Sequence, residues 1–175
     1  MKPKKCRVCK EAFTQSKPLQ TCCGIKCAIL DAAKKREKKE RKETKERKRK
    51  LLDNDRAHWT AKAQKAFNAW IRKRDEHLPC VSCGCPPSQG KRNAGHYRPA
   101  GINTALRFDP RNCHSQCERC NTSLSGNLIP YRLELINRIG FEAVDWLDHN
   151  HDIKRWSIAE LKEIESHYRQ KVKDN

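Results

Sequence analysis

The sequence predicts a small α+β protein that is stabilised by zinc more than by a large hydrophobic core. Eleven cysteines occur in 175 residues, and most of them stand in closely spaced groups. Only 36% of the residues are hydrophobic while 34% are charged, so little apolar surface is left to bury. We expect an N-terminal zinc finger, a long charged helix and a central cysteine-bound module flanked by helices.

The charge of the chain indicates a polyanionic partner. Lysine and arginine total 39 against 21 acidic residues, for a net charge of +18, which favours nucleic acid but says little about fold. No stretch approaches the ~20 apolar residues of a membrane-spanning helix, and no apolar stretch follows the basic N-terminus as in a secretory signal. We therefore expect a cytoplasmic protein, in a reducing compartment where cysteines bind metal.

Residues 1–29 form the first predicted module, a zinc finger. The segment carries five cysteines: Cys6, Cys9, Cys22, Cys23 and Cys27. The first two make a C-x2-C pair, which can place two thiolates on one zinc ion. For the other two ligands we favour Cys23 and Cys27, because their spacing allows the last ligand to lie in the first turn of a helix. Cys22 with Cys27 is the alternative.

Residues 30–52 form a charged segment. Between Asp31 and Lys50 there are twelve basic and five acidic residues, with hardly any apolar side chain. Glutamates recur every third residue, which favours ion pairs along a solvated helix. We expect a solvated helix or a disordered spacer, and a phosphate-binding arm is compatible with both. The basic side chains assigned to that arm are Lys45, Arg47, Lys48, Arg49 and Lys50.

Helices are predicted on both sides of the central module, within residues 53–148 and 149–175. The first carries an apolar stripe at helical spacing: Trp59, Ala63, Ala66, Phe67, Trp70 and Ile71. The residues from Asp53 to Asp55 can cap its start. Gly140 is expected to end a second helix. Ser157 and Glu160 have the spacing of a capping box, which predicts the start of the C-terminal helix.

Two further C-x2-C pairs predict a second zinc site in the central module. The expected ligands are Cys80, Cys83, Cys117 and Cys120. Two such pairs complete a closed four-cysteine site and stabilise the intervening loop, which lacks a core of its own. Cys85 could replace Cys83, because the C-G-C sequence leaves the register open. Cys113 is then a spare thiol.

The segment between these pairs has residue types suited to phosphodiester hydrolysis. His96 follows the first pair, Asn112 precedes the second pair, and Asn121 follows it directly. A histidine can take a proton from water near neutral pH, and an amide oxygen suits Mg²⁺ or Mn²⁺. This order resembles the zinc-stapled HNH nucleases. The resemblance implies a ββα-metal fold, in which His96 is the base, Asn121 a metal ligand and Asn112 a brace.

Three arginines lie beside these residues. Arg98, Arg107 and Arg111 could bind phosphates through charge-assisted hydrogen bonds, or could simply be solvated. One departure from the HNH pattern is Gly95, because many of these enzymes have an acidic metal ligand before the histidine. Asp109 or His114 could replace it, or water and substrate oxygens could complete the coordination of the cation.

Six longer stretches of the sequence resemble one protein family in particular. They are AQKAFNAWIRKRD (63–75), CVSCG (80–84), AGHYRPAG (94–101), LRFDPRN (106–112), QCERCN (116–121) and SGN (125–127). Together they are similar to the phage NinG, or Rap, recombination proteins. The resemblance implies an endonuclease that cuts branched DNA, including Holliday junctions and D-loops, in the host cytoplasm. It also implies recombination proteins as partners, and a homodimer could span the arms of a junction.

Two other interpretations remain open. The chain could be a zinc-dependent DNA-binding protein without catalysis, and the glycine at position 95 favours this alternative. It could also be an adaptor whose charged helix serves as a spacer for a protein partner. Loss of cleavage without loss of DNA binding on replacing His96 would identify the nuclease.

Overall fold

A computed structural model describes residues 3–174, which divide into two compact units between Asn54 and Asp55. The first unit contains a short antiparallel pair, β1 (Lys4–Lys5) and β2 (Ala12–Phe13), followed by helix α1 (Ile25–Asp53). The second unit contains α2 (Arg56–Arg74), the antiparallel strands β3 (Arg92–His96) and β4 (Cys113–Cys117), and helices α3 (Leu128–Ile139), α4 (Phe141–His149) and α5 (Ile158–Asp174). None of the helices in residues 3–174 is long and apolar enough to cross a membrane.

The charged segment is helical over its whole length, as part of α1. Ion pairs one turn apart stabilise it, among them Lys39 with Glu43 (3.9 Å) and Lys50 with Glu46 (3.5 Å). Asp31 is its one buried residue, and its carboxylate lies 2.7 Å from the Lys35 amine. Of the two expected forms, solvated helix and disordered spacer, the structure therefore has the helix.

The apolar stripe of α2 forms the first core of the second unit. Phe67 and Ile71 are completely buried, and the ring of Phe67 meets that of Tyr168 of α5 edge-on at 4.9 Å. Asp55 caps α2 by accepting a hydrogen bond from the Ala57 amide (2.8 Å). The expected stripe and cap are thus both present, and the partner of the stripe is the C-terminal helix.

A second core lies between α3, α4 and the loops around β3. Tyr131 and Leu135 of α3 pack with Val144 and Leu147 of α4, and all four are completely buried. Gly140 lies between the two helices with φ +85°, a conformation that favours glycine. It ends α3 as the sequence predicts, and it also caps the start of α4.

The C-terminal helix begins later than the boundary at residue 149. α4 extends to His149, and the chain then runs without regular structure before α5 begins at Ile158. The predicted capping box is present, because the Ser157 hydroxyl accepts from the Glu160 amide (3.2 Å) and the Ser157 amide donates to the Glu160 carboxylate (2.8 Å). The box determines the start of this helix.

Candidate functional site

The N-terminal cysteines form a compact cluster at the start of α1. The sulfur atoms of Cys6, Cys9, Cys23 and Cys27 all lie within 4.8 Å of one another. Cys27 lies in the first turn of α1, where the spacing from Cys23 places its thiol next to the others. Cys22 is buried outside the group. Four converging thiols are a ligand set that zinc binds, so this cluster could hold a metal ion.

A second cluster lies in the central module, and its composition differs from the expected set. The sulfur atoms within 4.8 Å of one another belong to Cys80, Cys83, Cys85 and Cys117. Cys120 lies beside them, and its amide donates to the Cys117 sulfur at 3.4 Å. Cys85 reaches the group because Gly84, with φ +70°, turns the chain back, so that the Cys80 amide bonds to the Cys85 carbonyl (2.9 Å). Five cysteines thus surround a site that could hold a metal such as zinc.

The hairpin β3–β4 carries the three polar candidates. His96 is the last residue of β3 and pairs with Cys113, the first residue of β4. Its Nε2 lies 3.0 Å from the Arg107 carbonyl oxygen, and its Nδ1 lies 3.7 Å from the Cys113 sulfur. Because a carbonyl only accepts, Nε2 carries the proton and Nδ1 keeps a lone pair. Burial lowers the pKa of His96 below 6.5, so the ring is neutral near pH 7.

Asn112 lies directly before β4 and is completely buried. Its side-chain oxygen accepts from the Arg98 amide (2.7 Å), and its nitrogen donates to the carbonyls of Arg98 (3.0 Å) and Leu106 (3.1 Å). The side chain is therefore fully used in joining the chain after β3 to the segment before β4. This geometry can fix the position of the backbone next to His96 and leaves no free group for catalysis.

Asn121 lies in the helical turn Arg119–Ser123, directly after the second cysteine pair. It is half-buried and faces β3, so that a methyl group built on Gly95 would lie 3.1 Å from its side-chain oxygen. Among residues 3–174 no hydrogen bond joins Asn121 to His96. The structure therefore brings Asn121 to Gly95, the neighbour of His96, rather than to His96 itself.

The two residues suggested in place of an acid at position 95 have other partners. The Asp109 carboxylate accepts from the backbone amide (2.8 Å) and the guanidinium (2.7 Å) of Arg111. His114 is buried, with its Nδ1 3.4 Å from the Tyr131 hydroxyl, and burial lowers its pKa to about 4. Within the described chain, neither residue hydrogen-bonds to Asn121. Both therefore have structural contacts and neither is placed to join Asn121 at a cation.

A basic groove in the second unit escaped prediction. It is lined by four basic side chains and an indole ring: Arg56, Arg107, Lys154, Arg155 and Trp156. Only Arg107 was among the predicted phosphate ligands. The other residues come from the start of α2 and from the segment before α5, which are far apart in sequence. The overall positive charge was the one sequence feature that indicated such a surface. The Arg107 carbonyl that binds His96 places this groove beside the hairpin.

The other two predicted arginines are partly engaged elsewhere. The Arg98 guanidinium lies 3.5 Å from the ring of His151. Arg111 is paired with Asp109 and lies over the ring of Trp146 at 4.3 Å. Arg98 is nevertheless half-buried rather than buried, and Arg111 is exposed, so either side chain can still contact a phosphate.

Fold and site together define a small α+β protein with two cysteine clusters that could each hold a metal ion. The family described as Bacteriophage Lambda NinG protein matches residues 1–175, and the chain belongs to this family. It is 46% identical to Protein ninG of Escherichia phage 933W over 187 residues, which cover 98% of this chain and 92% of the relative. It is 48% identical to Protein ninG of Escherichia phage lambda and 46% identical to that of Salmonella phage P22; each alignment covers 87% of this chain and 80% of the relative. No solved structure matches the chain significantly.

The burial of His114 predicts a dependence of stability on pH. Its pKa is about 4 in the folded chain against 6.5 in the unfolded chain. Below pH 6.5 the unfolded chain takes up a proton that the folded chain refuses, so this contribution is complete above pH 6.5 and is lost as the pH falls toward 4. The total loss is roughly 3 kcal/mol. Urea unfolding at pH 7 and at pH 5, with zinc present, measures the part of this loss that falls in that interval, about 2 kcal/mol.

The control for this prediction is His114→Gln, which cannot be protonated. Its free energy of unfolding should fall less steeply with decreasing pH than that of the wild type, by up to about 1.4 kcal/mol per pH unit. Acid release of a metal ion from the cysteine clusters would affect both proteins alike and would cancel in the comparison. Equal slopes would show that His114 has the same pKa in both states.

Proposed function

We propose that the chain is an HNH-type, metal-dependent endonuclease that cuts branched DNA during phage recombination in the host cytoplasm. The order of elements around the hairpin carries this proposal. His96 ends β3, Asn112 precedes β4, and Asn121 lies in the helical turn that follows. One cysteine pair precedes β3, and the other runs from the end of β4 into this turn. A hairpin followed by a helical turn, with these side chains at these places, is the arrangement expected of a ββα-metal site.

The hydrogen bonding of His96 suits a general base. The Arg107 carbonyl binds the protonated Nε2, so Nδ1 is the nitrogen that can accept a proton from water. Burial keeps the ring neutral near pH 7, and a base must be neutral to accept a proton. Asn112 contributes by fixing the backbone on both sides of this hydrogen bond.

Asn121 is the side chain of this constellation that can bind a divalent cation. Its oxygen faces Gly95, where no side chain intervenes, and amide oxygens are ligands that Mg²⁺ and Mn²⁺ accept. When bound there, such a cation supplies stabilisation of negative charge on the phosphate. Because the protein offers only neutral oxygen ligands here, we expect it to bind the cation weakly. Phosphates of bound DNA should strengthen this binding.

The basic surfaces of both units would bind the DNA backbone. In the second unit, the groove beside the hairpin presents Arg56, Arg107, Lys154 and Arg155. In the first unit, the last turns of α1 present exposed lysines and arginines that few acidic residues neutralise. The family resemblance is the basis for proposing a preference for Holliday junctions and D-loops, and recombination proteins as partners. A homodimer that carries two basic helices could span the converging arms of a junction.

The salt dependence of DNA binding tests these surfaces. Each phosphate contact that is removed should reduce the slope of log K against log salt by about 0.9 on duplex arms. We expect this for glutamine replacements of the arm residues from Lys45 to Lys50, and separately for Lys154→Gln with Arg155→Gln. The matched control removes two exposed charges of α5, Arg169→Gln with Lys173→Gln. A segment whose variant keeps the slope of the wild type does not contact DNA.

Cleavage of a labelled four-way junction tests the proposed activity. The zinc-loaded protein is incubated with the junction and with linear duplex of the same sequence, with Mg²⁺, with Mn²⁺ or with a chelator. The proposal requires cation-dependent cuts in the junction and few in the duplex. Tight binding of the junction without any cut under either cation would contradict it.

The second candidate function is a zinc-dependent DNA-binding protein without catalysis. The observation that favours it is the contact between Cys113 and His96. The Cys113 thiol faces Nδ1, the nitrogen that a water would have to reach. The absence of an acid at position 95 points the same way. Under this alternative, all DNA affinity comes from the basic surfaces, and substitutions at His96 change DNA binding little.

A further inference from the structure

The carboxamide of Gln116 is an unusual feature of β4. The residue is completely buried, and its nitrogen donates to the Ser82 hydroxyl (2.6 Å) and to the Gly126 carbonyl (2.5 Å). Because the Gly126 carbonyl can only accept, it fixes which end of the carboxamide is the nitrogen. The other end, Oε1, is buried and accepts no hydrogen bond. A buried acceptor without a partner is costly and calls for a physical explanation.

This oxygen points at Gly95, the position where many HNH enzymes have an acid. A methyl group on Gly95 would lie 2.2 Å from Gln116 Oε1 and 3.1 Å from Asn121 Oδ1. Both amide oxygens therefore converge on the same side of β3, and neither has a hydrogen-bond donor within residues 3–174. A cation placed between the two oxygens would give the buried Gln116 acceptor a partner.

We infer that Gln116 Oε1 and Asn121 Oδ1 are the protein's two oxygen ligands for the divalent cation. The inference rests on the proposed function, for which Asn121 was the one named cation ligand, and adds Gln116 as the second. Gln116 supplies, from β4, the oxygen that an acidic side chain at position 95 would supply from β3. The glycine at that position is then a requirement, because any Cβ there would displace the Gln116 oxygen.

The chemistry of this pair agrees with a catalytic rather than a permanently bound cation. Mg²⁺ and Mn²⁺ prefer oxygen donors and keep several waters when a protein supplies only one or two ligands. Neutral amides attract a cation less than carboxylates do, so occupancy should depend on the phosphate of the DNA. The hydrogen bonds from Gln116 to Ser82 and Gly126 hold one of the two ligands rigidly, as a precise site requires.

Titration of the zinc-loaded full chain with Mn²⁺, with free Mn²⁺ measured by electron paramagnetic resonance, tests the inference without DNA. We expect one Asn121-dependent site, and a loss of affinity of about tenfold or more in Asn121→Ala, Gln116→Met and Gly95→Ala. In Gly95→Ala both ligand side chains are still present, so the effect comes from the added methyl group, which displaces the Gln116 oxygen. Gly101→Ala is the matched control, because a methyl group there meets no atom within 4 Å.

The possible outcomes separate this inference from the proposed function. Wild-type Mn²⁺ affinity in Gln116→Met or in a folded Gly95→Ala would overturn the inference, even if the protein cuts junctions. A site that needs both side chains would support it, even if no DNA is cut, and the nuclease proposal would then fail alone. Zinc content and circular dichroism identify any variant that does not fold. If Gln116→Met is one of these, Gly95→Ala decides the question.

Discussion

Junction cleavage is expected to fall by about 10²–10⁴-fold when His96 is replaced by alanine, while affinity for the junction stays within about twofold. The reason is the position of the ring at the end of β3, where the Arg107 carbonyl binds Nε2 and leaves Nδ1 to accept a proton. Alanine removes that acceptor but no positive charge, since burial keeps the ring neutral near pH 7. Single-turnover cleavage with saturating protein separates the chemical step from binding.

The control for His96→Ala must show that the hairpin is intact. The ring of His96 lies 6.0 Å from that of Phe67, so its loss leaves a small space in the core of the second unit. Zinc content and thermal unfolding of the variant should therefore be compared with the wild type. His77→Ala, at an exposed position, should cleave normally. Undiminished cleavage by His96→Ala would show that another group is the base.

Replacement of Cys117 by serine is expected to unfold the second unit. Cys117 is buried at the end of β4, its sulfur lies 3.8 Å from that of Cys83, and it also accepts from the Cys120 amide. Binding of a structural zinc ion contributes on the order of 10–16 kcal/mol, which is as large as the whole stability of a small domain. We expect loss of one zinc ion, loss of cooperative unfolding and loss of cleavage. Cys23→Ser should lose the other zinc ion and keep the second unit folded.

A comparison of Cys85→Ser with Cys120→Ser refines this prediction. Cys85 lies within the close group of four sulfur atoms, and Cys120 lies beside it. Zinc measured per chain after dialysis should decrease in the variant that lacks a ligand and remain in the other. If Cys117→Ser keeps both zinc ions and full activity, the central cluster is not a structural metal site.

Local sequence patterns predicted the local parts of the fold. The stripe of α2, the stop at Gly140 and the box at Ser157 each depend on residues a few positions apart, and each is present. The pairing of Cys23 with Cys27 likewise depends on a local feature, the start of a helix whose first turn holds Cys27. These features need no knowledge of the rest of the chain.

The parts that escaped prediction depend on contacts between distant segments. Cys85 joins its cluster through the backbone conformation of Gly84, which the residue type permits but does not dictate. Gln116 meets Gly95 only because the register of the hairpin pairs it with Asn93, two residues away on β3. The groove unites the start of α2 with residues near Lys154, almost a hundred positions later. No periodicity or spacing in one sequence reveals such pairings.

The division into two units has a spectroscopic consequence. All four tryptophans and all three tyrosines lie beyond residue 54, so Phe13 is the first unit's one aromatic residue of the Phe, Trp and Tyr type. Tryptophan emission therefore originates in the second unit alone. The long helix α1, in contrast, contributes strongly to the far-ultraviolet circular dichroism. In a chelator titration, a loss of circular dichroism without any change in tryptophan emission would thus indicate a change in the first unit, without any label.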